Sequence, residues 1–217
     1  METKIKIKSS SGSVLFEYAK ENNTLRDTLE EAVRRGVYLR RADLQGADLR
    51  YANLQGVDLR YACLQGANLR GADLHNADLR DANLYNAYLY NADLRDADLR
   101  DADLRHAYLY GAYLYGADLC DANLYNAYLY GVDLCGIDWG DWGKIQTKSD
   151  ILSIGAIGSR NGYTMIFHTD KGLFVQCGCF GGTIEEFEAK VKETHKGNKH
   201  ERDYMAMIEF VKKRFAE

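Results

Sequence analysis

Two cysteines and two histidines near the end of the chain are the residues whose types could do chemistry by themselves. Cys177 and Cys179 stand two positions apart in a strand-like segment, which puts both thiols on one face, and His195 and His200 follow. Thiolates and imidazoles bind zinc, and a thiolate beside a histidine is a nucleophile. The spacing matches no standard zinc signature, and a free cysteine is more often a small buried apolar residue. The chain also lacks a phosphate-binding loop and a serine nucleophile elbow, so we predict no metal, no cofactor and no catalysis.

A five-residue repeat fills the middle of the chain and must position every other side chain of interest. From position 39 to position 134 every fifth residue is leucine, and the residue two places before it is nearly always alanine. Five residues advance a helical side chain by about 140°, so the leucines would spiral round a helix, and on a straight strand alternate leucines would face opposite ways. All of them are buried only if the chain turns by a fixed amount at each pentad. The repeat therefore predicts a solenoid with leucine and alanine inside.

The outward residues set the number of pentads in one coil, because stacked coils repeat their surface chemistry. A step of twenty residues aligns four columns of like side chains: Arg40, Arg60, Arg80 and Arg100; Asp58, Asp78, Asp98, Asp118 and Asp138; Tyr88, Tyr108 and Tyr128; and Tyr90, Tyr110 and Tyr130. A step of fifteen instead sets Tyr88 over Asp103. The segment 81–90 recurs letter for letter at 121–130, which is two steps of twenty. Four pentads per coil is therefore the better interpretation.

These tandem Ala-Asp-Leu-x-x and Ala-Asn-Leu-x-x units resemble the pentapeptide-repeat family, over about half of the chain. The resemblance implies a right-handed, four-sided β-helix in which each pentad forms one side of a square coil. The units between 37 and 141 would make about five coils. Their interior is filled by leucine and alanine, so ligands must bind outside or on another domain. Certain members of the family mimic DNA against gyrase, which makes a nucleic-acid-handling enzyme a candidate partner.

The N-terminal flank, residues 1–36, predicts a cap for the open first coil. Alternation at 4–8 and a second strand-like run at 13–18 predict a hairpin around a Ser-Gly turn. Thr24 and Asp27 are typical of a helix start, and Gly36 suits its end. An uncapped solenoid end would expose apolar core and strand edges, so such a cap is expected.

The C-terminal flank, residues 143–217, predicts a small α+β domain after a β-helix that occupies 37–142. Its order is β-β-β-α-α, with strands at 151–157, 163–169 and 173–179 and a first helix that begins at Thr183. Trp139 and Trp142 would seal the end of the solenoid. This domain resembles appendages of pentapeptide-repeat proteins from phages and prophages.

Composition favours a soluble protein of a reducing compartment. The chain is 46% hydrophobic and 28% charged, and no apolar run is long enough to span a bilayer. Its first residues lack the apolar core of a signal peptide, and five cysteines are an odd number without a disulfide-scaffold spacing. We therefore predict a cytoplasmic protein that does not associate with membranes.

Negative charge is concentrated on the solenoid. Between 37 and 141 there are 16 Asp, 9 Arg and neither Glu nor Lys, a net charge of −7, whereas the whole chain carries −4. Direct binding of nucleic acid would need the opposite sign, so we predict none. The column of Asp58, Asp78, Asp98 and Asp118 is a candidate binding surface for a protein that normally holds DNA. The alternative is structural, since these carboxylates can hydrogen-bond the turn backbone and be neutralised by the arginine column.

Tyrosines form a block on the later coils: Tyr88, Tyr90, Tyr108, Tyr110, Tyr128 and Tyr130. Ring packing between neighbouring coils would explain them, and so would recognition, because tyrosine makes contact surface at low entropic cost. The partner of such a block is a separate protein, the chain's own tail or a second copy.

The sequence thus predicts a non-catalytic binding protein that presents a rigid acidic and tyrosine-rich surface to a protein partner. The finer hypothesis is a phage or prophage inhibitor that blocks a host nucleic-acid enzyme by DNA mimicry. The alternative is a receptor for a small ligand or nucleotide, with its site on the C-terminal domain or where that domain meets the solenoid.

Overall fold

The computed structural model describes residues 2–124, 127–129, 132, 151–157, 162–177 and 180–216. The chain divides into two compact units, Met1–Gly140 and Asp141–Glu217. The predicted boundary at 142, the predicted tryptophan seal and the end of the repeat lie outside the described residues. The number of coils therefore stays a prediction.

The first unit opens with a hairpin and a helix, as the sequence predicts. Strand β1 (Glu2–Lys8) pairs antiparallel with β2 (Val14–Glu21), and helix α1 (Leu25–Arg34) follows. The helix begins at Thr24 with a reciprocal capping box. The Thr24 hydroxyl accepts from the Asp27 N–H at 3.1 Å, and the Asp27 carboxylate accepts from the Thr24 N–H at 2.9 Å.

This cap completes hydrogen bonds that the first coil would otherwise leave open. Inside the solenoid, the N–H before each leucine donates to the coil below, as Cys63 does to the Ala42 carbonyl at 2.9 Å. The first coil has no coil below it. The Asp43 N–H donates instead to the Lys8 carbonyl at 2.8 Å, and the Asn53 N–H donates to Glu30 Oε1 at 2.9 Å. The hairpin and the helix thus protect an open strand edge.

The coils repeat every twenty residues, which confirms the spacing predicted from the outward columns. Parallel bridges join residues twenty apart, for example Asp58 with Asp78 and Tyr108 with Tyr128. Every leucine of the repeat from Leu39 to Leu119 is at most 1% exposed. Burial of one such side chain stabilises a fold by about 1.5–3 kcal/mol, so this interior is the main source of stability for the solenoid. Parallel bridges every twenty residues and a sequence of pentapeptide repeats together indicate a right-handed β-helix.

Each pentad ends in a tight turn that sets the corner between two walls of the coil. In the turn after Leu59, the Ala62 N–H donates to the Leu59 carbonyl at 3.0 Å, and Tyr61 between them has a φ of +60°. A positive φ at the third position of such a turn belongs to type II geometry, which favours glycine or asparagine. Most corner positions of the repeat are accordingly Gly, Asn or Asp.

The second unit is a four-stranded antiparallel sheet followed by two helices. The strands are β3 (Ile151–Ile157), β4 (Gly162–Thr169), β5 (Gly172–Cys177) and β6 (Phe180–Thr183), paired in chain order. Helix α2 (Ile184–Thr194) begins with the predicted capping box at Thr183, and α3 (Lys199–Arg214) follows. Ile166 and Val175 of the sheet pack against Phe187 of α2 and Ile208 of α3.

The predicted order β-β-β-α-α was wrong, because the unit has a fourth strand. The predicted third strand at 173–179 ends at Cys177, and Phe180–Thr183 forms β6. Two adjacent glycines in β6 give the segment no alternation and make it resemble a linker. Gly182 lies in a close-packed place, since a Cβ there would lie 2.6 Å from Glu186 Oε2 and 3.0 Å from Phe180 Cζ and would displace these side chains.

None of the helices in the described ranges combines the length and the apolar character that crossing a bilayer requires.

The corner conformation makes a prediction for Gly56. Its φ is +65°, and no atom lies within 4 Å of the place where a Cβ would be. Gly56→Ala therefore strains only the backbone, and we expect it to destabilise the protein by about 1 kcal/mol. Gln55→Ala, at the exposed neighbouring position, is the control and should change the midpoint of urea unfolding very little. Equal midpoints for the two variants would contradict the left-handed corner.

Candidate binding surfaces of the repeat

The inward leucine and alanine leave three outward side chains in each pentad. Two of these flank the leucine on the flat wall, and the third occupies the corner. Because the backbone bridges join residues twenty apart, each outward position forms a column across the coils. The predicted tyrosine and aspartate columns therefore each lie on one wall of the solenoid.

The tyrosine wall consists of Tyr88, Tyr90, Tyr108, Tyr110 and Tyr128, on the pentads centred on Leu89, Leu109 and Leu129. The rings of Tyr88 and Tyr108 stack with their centroids 5.0 Å apart and their planes 5° apart. Tyr108 and Tyr128 stack at 4.8 Å and 3°. The structure thus brings together five of the six predicted tyrosines, and Tyr130 lies outside the described residues.

Stacking changes what each ring of the tyrosine wall can offer. Tyr108 has a ring on both faces and is half-buried, whereas Tyr88 and Tyr128 are 41% and 45% exposed. Burial raises the pKa of the Tyr108 phenol, and the neighbouring phenols of Tyr128 and Tyr88 raise it further. The middle ring therefore stays protonated, and it presents its edge and hydroxyl while its faces are occupied.

The predicted aspartate column lies on a different wall, in a charge ladder of alternating residues. Its members are Arg40, Asp58, Arg60, Asp78, Arg80, Asp98, Arg100 and Asp118. Arg60 Nη2 lies 2.7 Å from Asp58 Oδ2 in its own coil, and Arg60 Nε lies 3.1 Å from Asp78 Oδ2 in the next. Arg80 joins Asp78 and Asp98 in the same way, at 2.6 and 3.2 Å. Each of the four predicted carboxylates is thus ion-paired, and this wall presents balanced charge.

The same carboxylates also hold the backbone of their own pentads. Asp98 Oδ1 accepts the Arg100 N–H at 3.3 Å, and Asp118 Oδ1 accepts the Cys120 N–H at 3.0 Å. These are Asx turns, the structural alternative weighed from the sequence. The Arg100 side chain lowers the pKa of Asp98 against the opposing effect of burial. The aspartate column therefore has a role in the fold whether or not it meets a partner.

Other carboxylates of the repeat stand apart from the charge ladder. Asp81, Asp101 and Asp121 follow one another along a corner and are exposed. Among the residues that the structure describes, none of the three takes part in an ion pair. Unbalanced negative charge therefore lies at this corner and not on the wall of the predicted aspartate column.

Two further tyrosines adjoin the tyrosine wall and were left out of the predicted surface. Tyr113 and Tyr115 flank Leu114 on the wall that follows the corner at Gly111, and they are 55% and 60% exposed. The other tyrosines were predicted because like residues recur twenty positions apart. Tyr113 and Tyr115 have no such partners, because Asp93 and Arg95 occupy the equivalent positions one coil earlier. Their signal is the consecutive spacing of Tyr108, Tyr110, Tyr113 and Tyr115.

In the second unit, Cys177 lies in a hydrogen-bonded setting. The Thr164 hydroxyl donates to Cys177 Sγ at 3.1 Å, and the Tyr204 hydroxyl lies 3.6 Å from the same sulfur. The rings of His195 and His200 are 5.8 Å apart. Cys179, the other member of the considered zinc pair, lies outside the described residues, and the described ranges contain no group of three His, Cys, Asp or Glu side chains placed to hold a metal.

The alternative of a small-ligand site on the C-terminal domain stays a prediction. A groove on the outer side of α2 and α3 is lined by Glu188, Met205 and Lys212. Two of these charged side chains already engage each other, since Lys212 Nζ lies 2.9 Å from Glu188 Oε2, and it also lies 3.4 Å from Glu185 Oε1. Nothing in this lining favours a particular ligand.

Comparison with known proteins identifies the repeat. A family model described as pentapeptide repeats matches in 8 copies, at residues 38–76, 62–101 and 102–138. No curated protein matches the sequence.

Several solved structures are similar to this chain. HetL, a pentapeptide repeat protein involved in heterocyst differentiation regulation from the cyanobacterium Nostoc sp. strain PCC 7120, is 37% identical over 46% of this chain and 46% of its own, with a TM-score of 0.40. A pentapeptide repeat protein from the cyanobacterium Cyanothece 51142 is 36% identical over 45% and 64%, with a TM-score of 0.40. One from the Arabidopsis thaliana thylakoid lumen is 32% identical over 46% and 66%, with a TM-score of 0.37. The chain thus spans 46% to 66% of the length of these proteins.

The charge ladder predicts a pH-dependent contribution from Asp98. Because its pKa is lowered in the folded state, its ion pairs stabilise the fold above the ordinary aspartate pKa of about 3.9, and this stabilisation is lost as pH falls through the folded value. Asp98→Asn should cost about 0.5–1 kcal/mol at pH 7 and much less at pH 2, measured by urea unfolding.

Asp81→Asn is the matched control for Asp98→Asn. Asp81 lies at a corner with a φ of +57°, which asparagine tolerates. The Asp81→Asn substitution should therefore change the free energy of unfolding very little at either pH. An equal loss from Asp98→Asn at both pH values would show that its ion pairs do not stabilise the fold.

Proposed function

Because the chain belongs to the pentapeptide-repeat family through residues 38–138, we propose that it is a non-catalytic binding protein that presents its tyrosine wall to a protein partner. The observation that carries the proposal is a row of stacked tyrosines whose edges and hydroxyls face outward from a rigid coil. Large aromatic residues of this kind dominate the contact energy of protein interfaces.

The stacking favours a protein over a sugar or a nucleic acid. Sugars and bases bind aromatic platforms by lying on ring faces. Both faces of Tyr108 are covered by Tyr88 and Tyr128, and Tyr90 lies 5.7 Å from Tyr108 on the same wall. The wall therefore offers ring edges and hydroxyl groups, which suit the apolar side chains and carbonyl oxygens of a protein surface.

The charge on the wall supports the same class of partner. From Leu89 to Leu109, its outward positions carry Tyr88, Tyr90, Tyr108 and Tyr110, with Asn91 and Gly111 at the corners. A neutral strip has no charge to neutralise when it is desolvated, and interface cores are depleted of charged residues in the same way.

Rigidity lowers the cost of binding. The Tyr88 N–H donates to the Ala67 carbonyl at 2.9 Å, and the Tyr108 N–H donates to the Ala87 carbonyl at 2.9 Å. The backbone is thus fixed on both sides, and stacking holds the rings in place. Little conformational entropy remains to be lost on association, which favours affinity.

DNA mimicry by a phage inhibitor stays the finer hypothesis of the sequence. A mimic of DNA needs unbalanced negative charge, and the predicted carboxylates of Asp58, Asp78, Asp98 and Asp118 are each paired with arginine. The carboxylates at the corner of Asp81, Asp101 and Asp121, which form no ion pair with any described residue, support an acidic contact beside the aromatic one. We base the proposal on the tyrosine wall because its neutral surface needs no such pairing.

Photocrosslinking from the wall tests the proposal. Tyr110 is 48% exposed, and its replacement by benzoylphenylalanine keeps an aromatic ring at that place. On irradiation in the native cells, we expect one dominant protein to be crosslinked from position 110 and identified by mass spectrometry. The control carries the same group at Gln45, on another wall, and should not capture that protein.

The identity of the captured species decides between the open alternatives. A distinct protein supports the proposal, whereas crosslinks only to the chain's own tail or to a second copy would contradict it. Identical captures from positions 110 and 45 would also contradict it, because the surface would then have no selectivity.

A further inference from the structure

Tyrosines of the repeat differ in what lies over their rings. Three of them carry an arginine of the same chain. The Arg40 guanidinium lies 5.8 Å from the Tyr38 ring, Arg41 lies 5.8 Å from Tyr61, and Arg105 lies 5.5 Å from Tyr85. Within the part of the chain that the structure describes, Tyr113 and Tyr115 have no ring contact and no cation over them.

Two aspartates of the preceding coil, Asp93 and Asp96, are joined through the backbone to these two tyrosines. The Asp96 N–H donates to the Tyr115 carbonyl at 3.0 Å, and a Cβ at Gly116 would overlap the Asp96 side chain, so this carboxylate lies against the backbone of Gly116, the residue that follows Tyr115. Asp93 bridges to Tyr113 in the next coil. Glycine at the Gly116 corner therefore makes room for a carboxylate one residue from the exposed Tyr115.

The local charge is negative in spite of one arginine. Arg95 Nε donates to Asp93 Oδ1 at 2.8 Å, and this arginine is thereby engaged by its own pentad. The side chain of Asp96 is 50% exposed, and His75 Nδ1, which is charged only if the ring is protonated, lies 3.7 Å from Asp96 Oδ2. Two exposed rings and an exposed carboxylate thus lie together with an excess of negative charge.

We propose that Tyr113, Tyr115 and Asp96 form a receptor site for an arginine side chain of a basic protein partner. The proposal rests on the proposed function and names the chemistry of the partner. A guanidinium stacks on an aromatic ring and pairs with a carboxylate at once, which a lysine does less well. The chain itself shows the match, because its own arginines cover Tyr38, Tyr61 and Tyr85.

The site lies on the wall next to the tyrosine wall, across one corner of the coil. Tyr110 and Tyr113 stand on either side of the corner at Gly111, where φ is +67°. The aromatic surface therefore continues round the corner as a convex ridge, neutral on the first wall and acidic on the second. Such a ridge fits a concave partner surface with an apolar wall and a basic one.

Calorimetric titration of the full chain with an octa-arginine peptide tests this site. We expect the double variant Tyr113→Ser with Tyr115→Ser to bind the peptide about tenfold more weakly. Asp96→Asn, which keeps a residue suited to its φ of +56°, should weaken binding as well. The control is Tyr38→Ser with Tyr61→Ser, whose rings are already covered by arginines, and its affinity should be unchanged.

Two results would overturn the arginine site. One is equal affinity of the original chain and the Tyr113 and Tyr115 variant, which would mean that the peptide senses only the net charge of the solenoid. The other is an equal loss in the control variant. Neither result bears on the capture of a partner from position 110, so failure of this site and failure of the proposed function remain distinguishable.

Discussion

Burial of one leucine in every five residues is the constraint on which the rest of the solenoid depends. Leucines five apart can share an interior only if the chain turns after each one, and four turns bring it back over itself. Each of these turns places its corner residue in the left-handed backbone region, with a positive φ. This requirement explains the Gly, Asn and Asp that recur at the corners. The composition of the core, the conformation of the corners and the length of the coil thus all follow from the burial of these leucines.

The surface inherits its order from that requirement. Side chains twenty residues apart are held one rung apart, about 4.8 Å, whatever their chemistry. Tyrosines at this spacing stack, as Tyr88 and Tyr108 do at 5.0 Å, and the aspartates of the charge ladder pair with the arginines that alternate with them. The same periodicity therefore produces an aromatic wall on one side and a balanced charge ladder on another.

The repeat could be predicted from the sequence almost completely, because its period overrides local ambiguity. The hairpin, α1 and the capping boxes also followed from the pattern. Strand β6 did not, since Gly181 and Gly182 carry no strand signal. Neutralisation of the aspartate column by the arginine column was an alternative from the sequence, but the pairing of Asp58 with two arginines was not specified, because it depends on side-chain rotamers across adjacent coils. Tyr113 and Tyr115 were missed because a column is visible in the sequence only when it repeats.

The most direct test of the account is a pair of cysteines placed twenty residues apart in a background with every native cysteine replaced by serine. Gln45→Cys with Gln65→Cys lies on adjacent rungs of one wall, where the Gly46 N–H donates to the Gln65 carbonyl at 2.9 Å. A spacing of about 4.8 Å is within the range of a disulfide, so mild oxidation should link this pair. Gln45→Cys with Arg60→Cys, fifteen residues apart, should stay reduced. A disulfide in the second pair and not in the first would contradict the twenty-residue coil and every surface built on it.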